Sequence, residues 1–192
     1  MKRYTLVDYE SANADVRAIY DDFLRQTGST AVPYWVQSLG CNVPLLHAYW
    51  ERTKGSLVHG VMPSILKEMV IFVVSVENGS RYCSACHAHA VLGMDPTLKF
   101  EDLNALLDTE DQRLKLPPSH RAALNFAIRM ARDANAVSDA DFESLRDADF
   151  DDDEIRELLS VIDLATMFNK YTSAMRLPLD PEYKPVLAPV AA

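Results

Sequence analysis

The stretch Pro63-Ser-Ile-Leu-Lys-Glu68-Met-Val-Ile-Phe-Val-Val-Ser-Val-Glu77-Asn-Gly79-Ser80-Arg-Tyr-Cys83-Ser-Ala-Cys86-His87 contains two helices and the break between them. Its longest strongly apolar run, Met69 to Val76, is far short of the ~20 residues a membrane-spanning helix needs. Asn78-Gly79 is a turn dipeptide. Ser80 is suited to cap a second helix, which runs from Arg81 to about Leu92 before Gly93 and Asp95-Pro96 end it.

Outward from this pair, the same helical grammar repeats. Val16, Ile19, Tyr20, Phe23 and Leu24 recur at helical spacing from Ala14 and stop at Gly28, which suits a left-handed C-terminal cap. Pro33, Pro44 and Pro63 each open an apolar stretch, as proline does at a first helical position. They predict a short helix from Pro33, one across Leu45 to Leu57, and the one from Pro63. Towards the C-terminus a helix is expected over Leu98 to Leu107, with Thr109–Arg113 and Pro117-Pro118 as a connector. Ala123, Leu124, Ala127, Ile128 and Ala131 mark another helix from Ser119, and Ser138 with Asp141 resembles a capping box. The last long helix begins in the acidic run Asp151–Glu154, which complements a helix N-terminus. No segment alternates as a strand would, so the expected class is all-α, a bundle of roughly eight to nine helices. From Leu177 the chain holds Pro178, Pro181, Pro185 and Pro189. That tail is read either as loose or as an arm lying on a neighbouring subunit.

At 192 residues with 48% hydrophobic content, the chain can bury a full core. It is read as one domain over 1–192, with 177–192 as its C-terminal arm. A formal net charge of −9 repels nucleic-acid phosphates and anionic lipid. Met1–Glu10 has no apolar core of a secretory signal, so a cytoplasmic location is expected. Three cysteines, with Cys41 apart from the others, form no disulfide framework in a reducing compartment. The Cys83/Cys86 pair points to reactive use instead.

Three features meet at Cys83. It lies three residues after Ser80, where unpaired backbone N–H groups favour a thiolate, so a depressed pKa is expected. Cys86 and His87, at i+3 and i+4, lie on its helix face at about 5–6 Å between Cβ atoms. Glu68 sits in the apolar helix before it. There it is either an exposed acid beside Lys67 or an inward one that burial readies for proton transfer. Glu77, beside the turn, reads as solvated, and His89 projects away from Cys83. His47, His59 and His120 read as surface or structural, Trp35 and Trp50 as core or interface, and Cys41 as a bystander.

These residues resemble the carboxymuconolactone decarboxylase superfamily, specifically its alkylhydroperoxidase D-like, peroxidase-related branch. The pattern there is a Glu, then Cys-x-x-Cys-x-x-x-His, with the second Cys fifteen positions after the Glu. Glu68 and Cys83 keep that separation, and His87 follows Cys83 by four. The segments around Leu45–Gly60, Phe126, Phe150 and Asn169 are similar too. The resemblance implies an AhpD-like helical bundle and a homo-oligomer (dimer, trimer or hexamer). It implies Cys83 as peroxidatic thiol, with His87 and Glu68 as its proton relay. The implied substrates are a hydroperoxide and a thiol reductant such as a dihydrolipoyl or thioredoxin-like donor. The departure is Ser80, which stands where the family has its resolving cysteine. Cys86 is then an extra thiol able to resolve an oxidised Cys83, though a disulfide between i and i+3 positions distorts a helix. An external thiol is the alternative.

Other readings compete. Cys83-Ser-Ala-Cys86-His87 matches a c-type haem attachment pattern, which normally requires export. Cys83, Cys86, His87 and His89 are metal-ligand types, yet four ligands within seven residues of one helix do not converge tetrahedrally. No cofactor and no metal are therefore expected. A lactone-decarboxylating lyase would need no thiol pair, and a non-catalytic helical oligomer would hold both cysteines as small core residues.

Overall fold

In the computed structural model, which describes residues 3–108, 113 and 115–186, every regular element among the described residues is helical. We number nine helices: α1 Ala14–Thr27, α2 Tyr34–Leu39, α3 Val43–Thr53, α4 Ser64–Glu77, α5 Arg81–Met94, α6 Phe100–Asp108, α7 Pro118–Arg132, α8 Asp139–Arg146 and α9 Asp152–Met175. The all-α bundle expected from the sequence is what the chain adopts.

Helix α4 is the axis. Every residue from Leu66 to Ser75 is buried, because α5, α7 and α9 all pack on it. A helix covered on every side needs no polar face, which is why its sequence shows no amphipathic stripe. The main core joins α4 to α5, α6, α7, α8 and α9 through Leu66, Val70, Phe72, Leu103, Leu124, Leu145, Leu158 and Ile162. A second cluster gathers α1, α2 and α3 around Val16, Tyr20, Phe23, Leu39, Leu46 and Trp50.

The caps explain most boundaries. Asn13 Oδ1 accepts from the Val16 N–H at 3.0 Å, and Gly28, at φ 69°, closes α1 through its N–H to Leu24 O. Asp151 accepts from Glu154 N–H while Glu154 accepts from Asp151 N–H, a complete capping box for α9. Ser138 N–H donates to Asp141 at 2.8 Å, as its spacing predicted.

Several expectations need correction. Pro33 and Pro63 stand one residue before their helices, in extended backbone, and not at the first helical position. Pro118 opens α7 and is not part of a connector; residues 109–112 of that connector lie outside the described residues. Helix α3 ends at Thr53, and Lys54–Val58 continues as a wider π-helical turn. Glu77 is not solvated: its carboxylate holds Arg132 through two hydrogen bonds of 2.6 and 2.8 Å.

The described part of the tail, residues 177–186, packs back against its own chain. After Arg176, at φ 53°, Leu177 N–H donates to Thr172 O, and Pro181–Val186 forms a 3-10 turn against α5. Leu177 and Tyr183 are buried with Tyr82 and Cys83. Asp180 fastens the segment, accepting from Tyr82 Oη at 2.5 Å and from Tyr34 N–H at 2.8 Å. Residues 187–192, with Pro189, lie outside the described residues. No helix among those described is long and apolar enough to cross a membrane.

Candidate active site

Glu68 and Lys67, adjacent on α4, are both buried, at 8% and 1% exposure. Neither could be so without a partner, since an isolated buried charge is strongly destabilising. Lys67 Nζ reaches Glu157 Oε1 on α9 at 2.8 Å and His59 O at 2.6 Å. Glu157 also accepts from the N–H groups of Val61 and Met62 at 2.8 and 3.3 Å. Lys67 therefore does not share the surface with Glu68, and the exposed reading of Glu68 fails.

Glu68 turns to α5 instead. Its Oε2 lies 2.6 Å from His87 Nδ1. With Glu68 ionised, Nδ1 carries the proton and donates it, so the other ring nitrogen, Nε2, is left as an acceptor. Both side chains line a cavity of about 600 Å3, well within the range of small-molecule sites. Cys83 and Cys86 line the same cavity, with Trp35, Phe23, Ile71 and Phe168. Exposed Ser29, Thr30 and Ala31 line it with exposed His89, so it reaches solvent there.

Cys83 is buried at 3% exposure. Its sulfur lies 3.4 Å from Thr172 Oγ1, and Ser80 and Asn169 also hydrogen-bond to it. Thr172 already donates its single hydroxyl proton to Phe168 O at 2.8 Å. In the Cys83 contact it must therefore accept, with the thiol as donor. Burial pushes the Cys83 thiol above its ordinary pKa, and hydrogen bonding with Ser80 and Asn169 offsets only part of that. This corrects the expectation of a depressed pKa: at this helix start, loss of water outweighs the backbone N–H groups. The Cys86 thiol is pushed higher still, first by burial and then by the Glu68 charge. No hydrogen bond joins His87 to the Cys83 sulfur.

Ser80 supplies the backbone cap of α5, but its hydroxyl does not cap it. The hydroxyl lies 3.4 Å from Thr172 Oγ1. Asn169 is fixed by Asn78, which donates to its Oδ1 at 2.9 Å, while its own amide donates to Ser75 Oγ at 2.8 Å. Thr172 did not stand out in the sequence, because it belongs to no local pattern. Tyr183 packs edge-on to Tyr82 and beside His89, and it hydrogen-bonds to Cys86. All three cysteines are free thiols, and Cys41 is exposed. No group of three or more His, Cys, Asp or Glu side chains among the described residues could hold a metal ion.

The helical hairpin of α4 and α5 brings the Glu68–His87 pair and two thiols to one cavity, and solved structures share the fold that carries it. An uncharacterized peroxidase-related protein from Silicibacter sp. TM1040 superposes with a TM-score of 0.75 at 28% identity over 90% of each chain. The alkylhydroperoxidase AhpD core of a peroxidase-related protein from Ralstonia eutropha JMP134 gives 0.79 at 21% identity, over 94% of this chain and 93% of that one. The debrominase Bmp8, in a cysteine-to-alanine form bound to 2,3,4-tribromopyrrole, gives 0.74 at 18% identity, over 91% and 90%. No family model matches the chain, and no curated protein matches it by sequence. The chain adopts the AhpD-like fold.

Proposed function

We propose that this chain is a thiol-dependent hydroperoxide reductase whose reacting sulfur is Cys83. The observation that carries the reading is the 2.6 Å pair of Glu68 and His87 on the wall of a cavity that also exposes both thiols. Cys83 rests as a thiol, and His87 Nε2 takes its proton as the peroxide arrives, with Glu68 stabilising the imidazolium. The thiolate attacks the terminal peroxide oxygen. An S–O bond forms, the O–O bond breaks, and the electron pair leaves with the alkoxide, which recovers the proton from His87 as an alcohol. The sulfur, oxidised by two electrons, is then a sulfenic acid. A second thiol, from Cys86 or from an external dihydrolipoyl or thioredoxin-like donor, attacks it, forming a disulfide and releasing water. Two electrons and two protons from that donor restore the thiols. The protein is read as a cytoplasmic homo-oligomer forming one domain with its C-terminal arm.

The test is consumption of an organic hydroperoxide with a dithiol reductant. Cys83→Ser abolishes it in this reading. Activity unchanged in that variant would remove the proposal and leave the lyase or the non-catalytic oligomer with structural cysteines. A second reading follows from the debrominase neighbour and the apolar cavity. There, two thiols supply the two electrons that replace C–Br by C–H and release bromide. Bromide release from a polybrominated pyrrole, without hydroperoxide turnover, would favour it.

A further inference from the structure

The wall of the cavity that faces the thiols and the Glu68–His87 pair is built from aromatic rings on three separate helices. Phe168 of α9 meets Trp35 of α2 with ring centroids 4.6 Å apart at 68°, and Phe23 of α1 also meets Trp35, at 5.9 Å and 77°. Tyr49 of α3 buttresses Phe168 at 5.5 Å and 77°. Each ring is held edge-on by the next, so the wall is rigid and has few rotamers to lose when a ligand arrives. Phe23 is buried, whereas Trp35 and Phe168 are only half-buried, and both line the cavity.

Size points the same way. A water molecule's share of liquid volume is about 30 Å3, so hydrogen peroxide, only modestly larger, would leave most of this space unfilled. Such a small polar substrate gains nothing from an apolar wall. A ring gains both apolar burial and edge-to-face contact.

We infer that the cavity selects a hydroperoxide whose carbon skeleton carries an aromatic ring, with Trp35 and Phe168 as the residues that set this specificity. The inference rests on the peroxidase reading for its chemistry, which is the balanced step given above. Its recognition element is separate from that chemistry. The ring lies against Trp35 and Phe168, and the peroxide group projects towards Cys83 and His87.

Two measurements test it. Turnover of cumene hydroperoxide, tert-butyl hydroperoxide and hydrogen peroxide is compared in the full chain, with Trp35→Ala and Phe168→Leu as variants. The expected kcat/KM for cumene hydroperoxide exceeds that for hydrogen peroxide at least about tenfold. Either variant lowers it by about tenfold, with tert-butyl hydroperoxide changed by less than about twofold. Separately, the unreactive product alcohol 2-phenyl-2-propanol is titrated into Cys83→Ser and read by tryptophan fluorescence. Saturable quenching that disappears in Cys83→Ser/Trp35→Phe, where Trp50 alone remains, supports the ring site. Equal turnover of the three peroxides, or no saturable quenching, overturns it. If no peroxide is consumed at all but quenching saturates, the peroxidase reading falls and the aromatic site stands.

Discussion

Lys67 and Glu157, 90 positions apart in the chain, meet at 2.8 Å in the core between α4 and α9. Their pairing also ties down the turn before α4, because Glu157 accepts from Val61 and Met62 and Lys67 donates to His59 O. Gly60, at φ +114°, passes so close to Glu157 that a Cβ there would stand 2.1 Å from Oε1. Lys67→Met leaves Glu157 buried without its cation and is expected to cost about 3 kcal/mol. For a chain of this length that lowers Tm by about 6–12 °C, checked by thermal denaturation. A Tm within 2 °C of the parent, roughly the measurement's resolving power on that scale, would count against a structural role for the pair.

Glu68→Gln keeps an acceptor for His87 Nδ1–H but removes the charge that stabilises the imidazolium. The expected loss in kcat/KM for a hydroperoxide is about 10–100-fold at pH 7, with His87→Asn losing at least as much. Circular dichroism should show both variants folded. Rates within about twofold of the parent, far inside the span typical of acid–base groups, would remove the relay from the mechanism.

Burial raises both Cys83 and Cys86 above the ordinary thiol range. At pH 7 alkylation of either by iodoacetamide should therefore be slower than that of exposed Cys41, rising towards alkaline pH with an inflection above that of a free thiol. The sign for stability follows from the same shift. The folded state holds these protons more tightly, so the contribution is complete below the unfolded-state pKa and is lost as pH rises through the folded one. Cys83→Ala/Cys86→Ala should flatten that alkaline decline in urea denaturation midpoints. A fast-labelling, acidic Cys83 would contradict the burial argument.

Asp22 behaves in the opposite sense. Hydrogen bonds from Lys54 Nζ at 2.9 Å and Trp50 Nε1 at 2.6 Å lower its pKa to about 2. The stability it contributes is present above the unfolded-state pKa and is lost as pH falls through about 2. In Asp22→Asn the acid slope of stability below about pH 4, the ordinary range of an aspartate, should be shallower than in the parent. Fluorescence of Trp50 during acid titration reads this directly, and superimposable curves would refute it.

The sequence disclosed what depends on near neighbours. Gly28, Ser138 and Asp151 mark real helix ends because capping is settled within about four residues. The residues alone left Glu68 either exposed or inward, and its pairing with His87 was implied only by the family resemblance. Lys67 was misjudged because its partner lies on α9, and nothing around it in the chain signals Glu157. Thr172 and Asp180 were missed for the same reason: each acts across helices that only packing brings together. The acidity of Cys83 was misjudged because helix position was legible and depth of burial was not.

The Glu68–His87 pair and both thiols come from α4 and α5 alone, whereas the aromatic wall comes from α1, α2 and α9. A lineage carrying this fold can therefore drift in ligand preference through ring positions outside α4 and α5 while that hairpin stays untouched. Enzymes of this build should diversify by exchanging what they admit long before they change what they do to it.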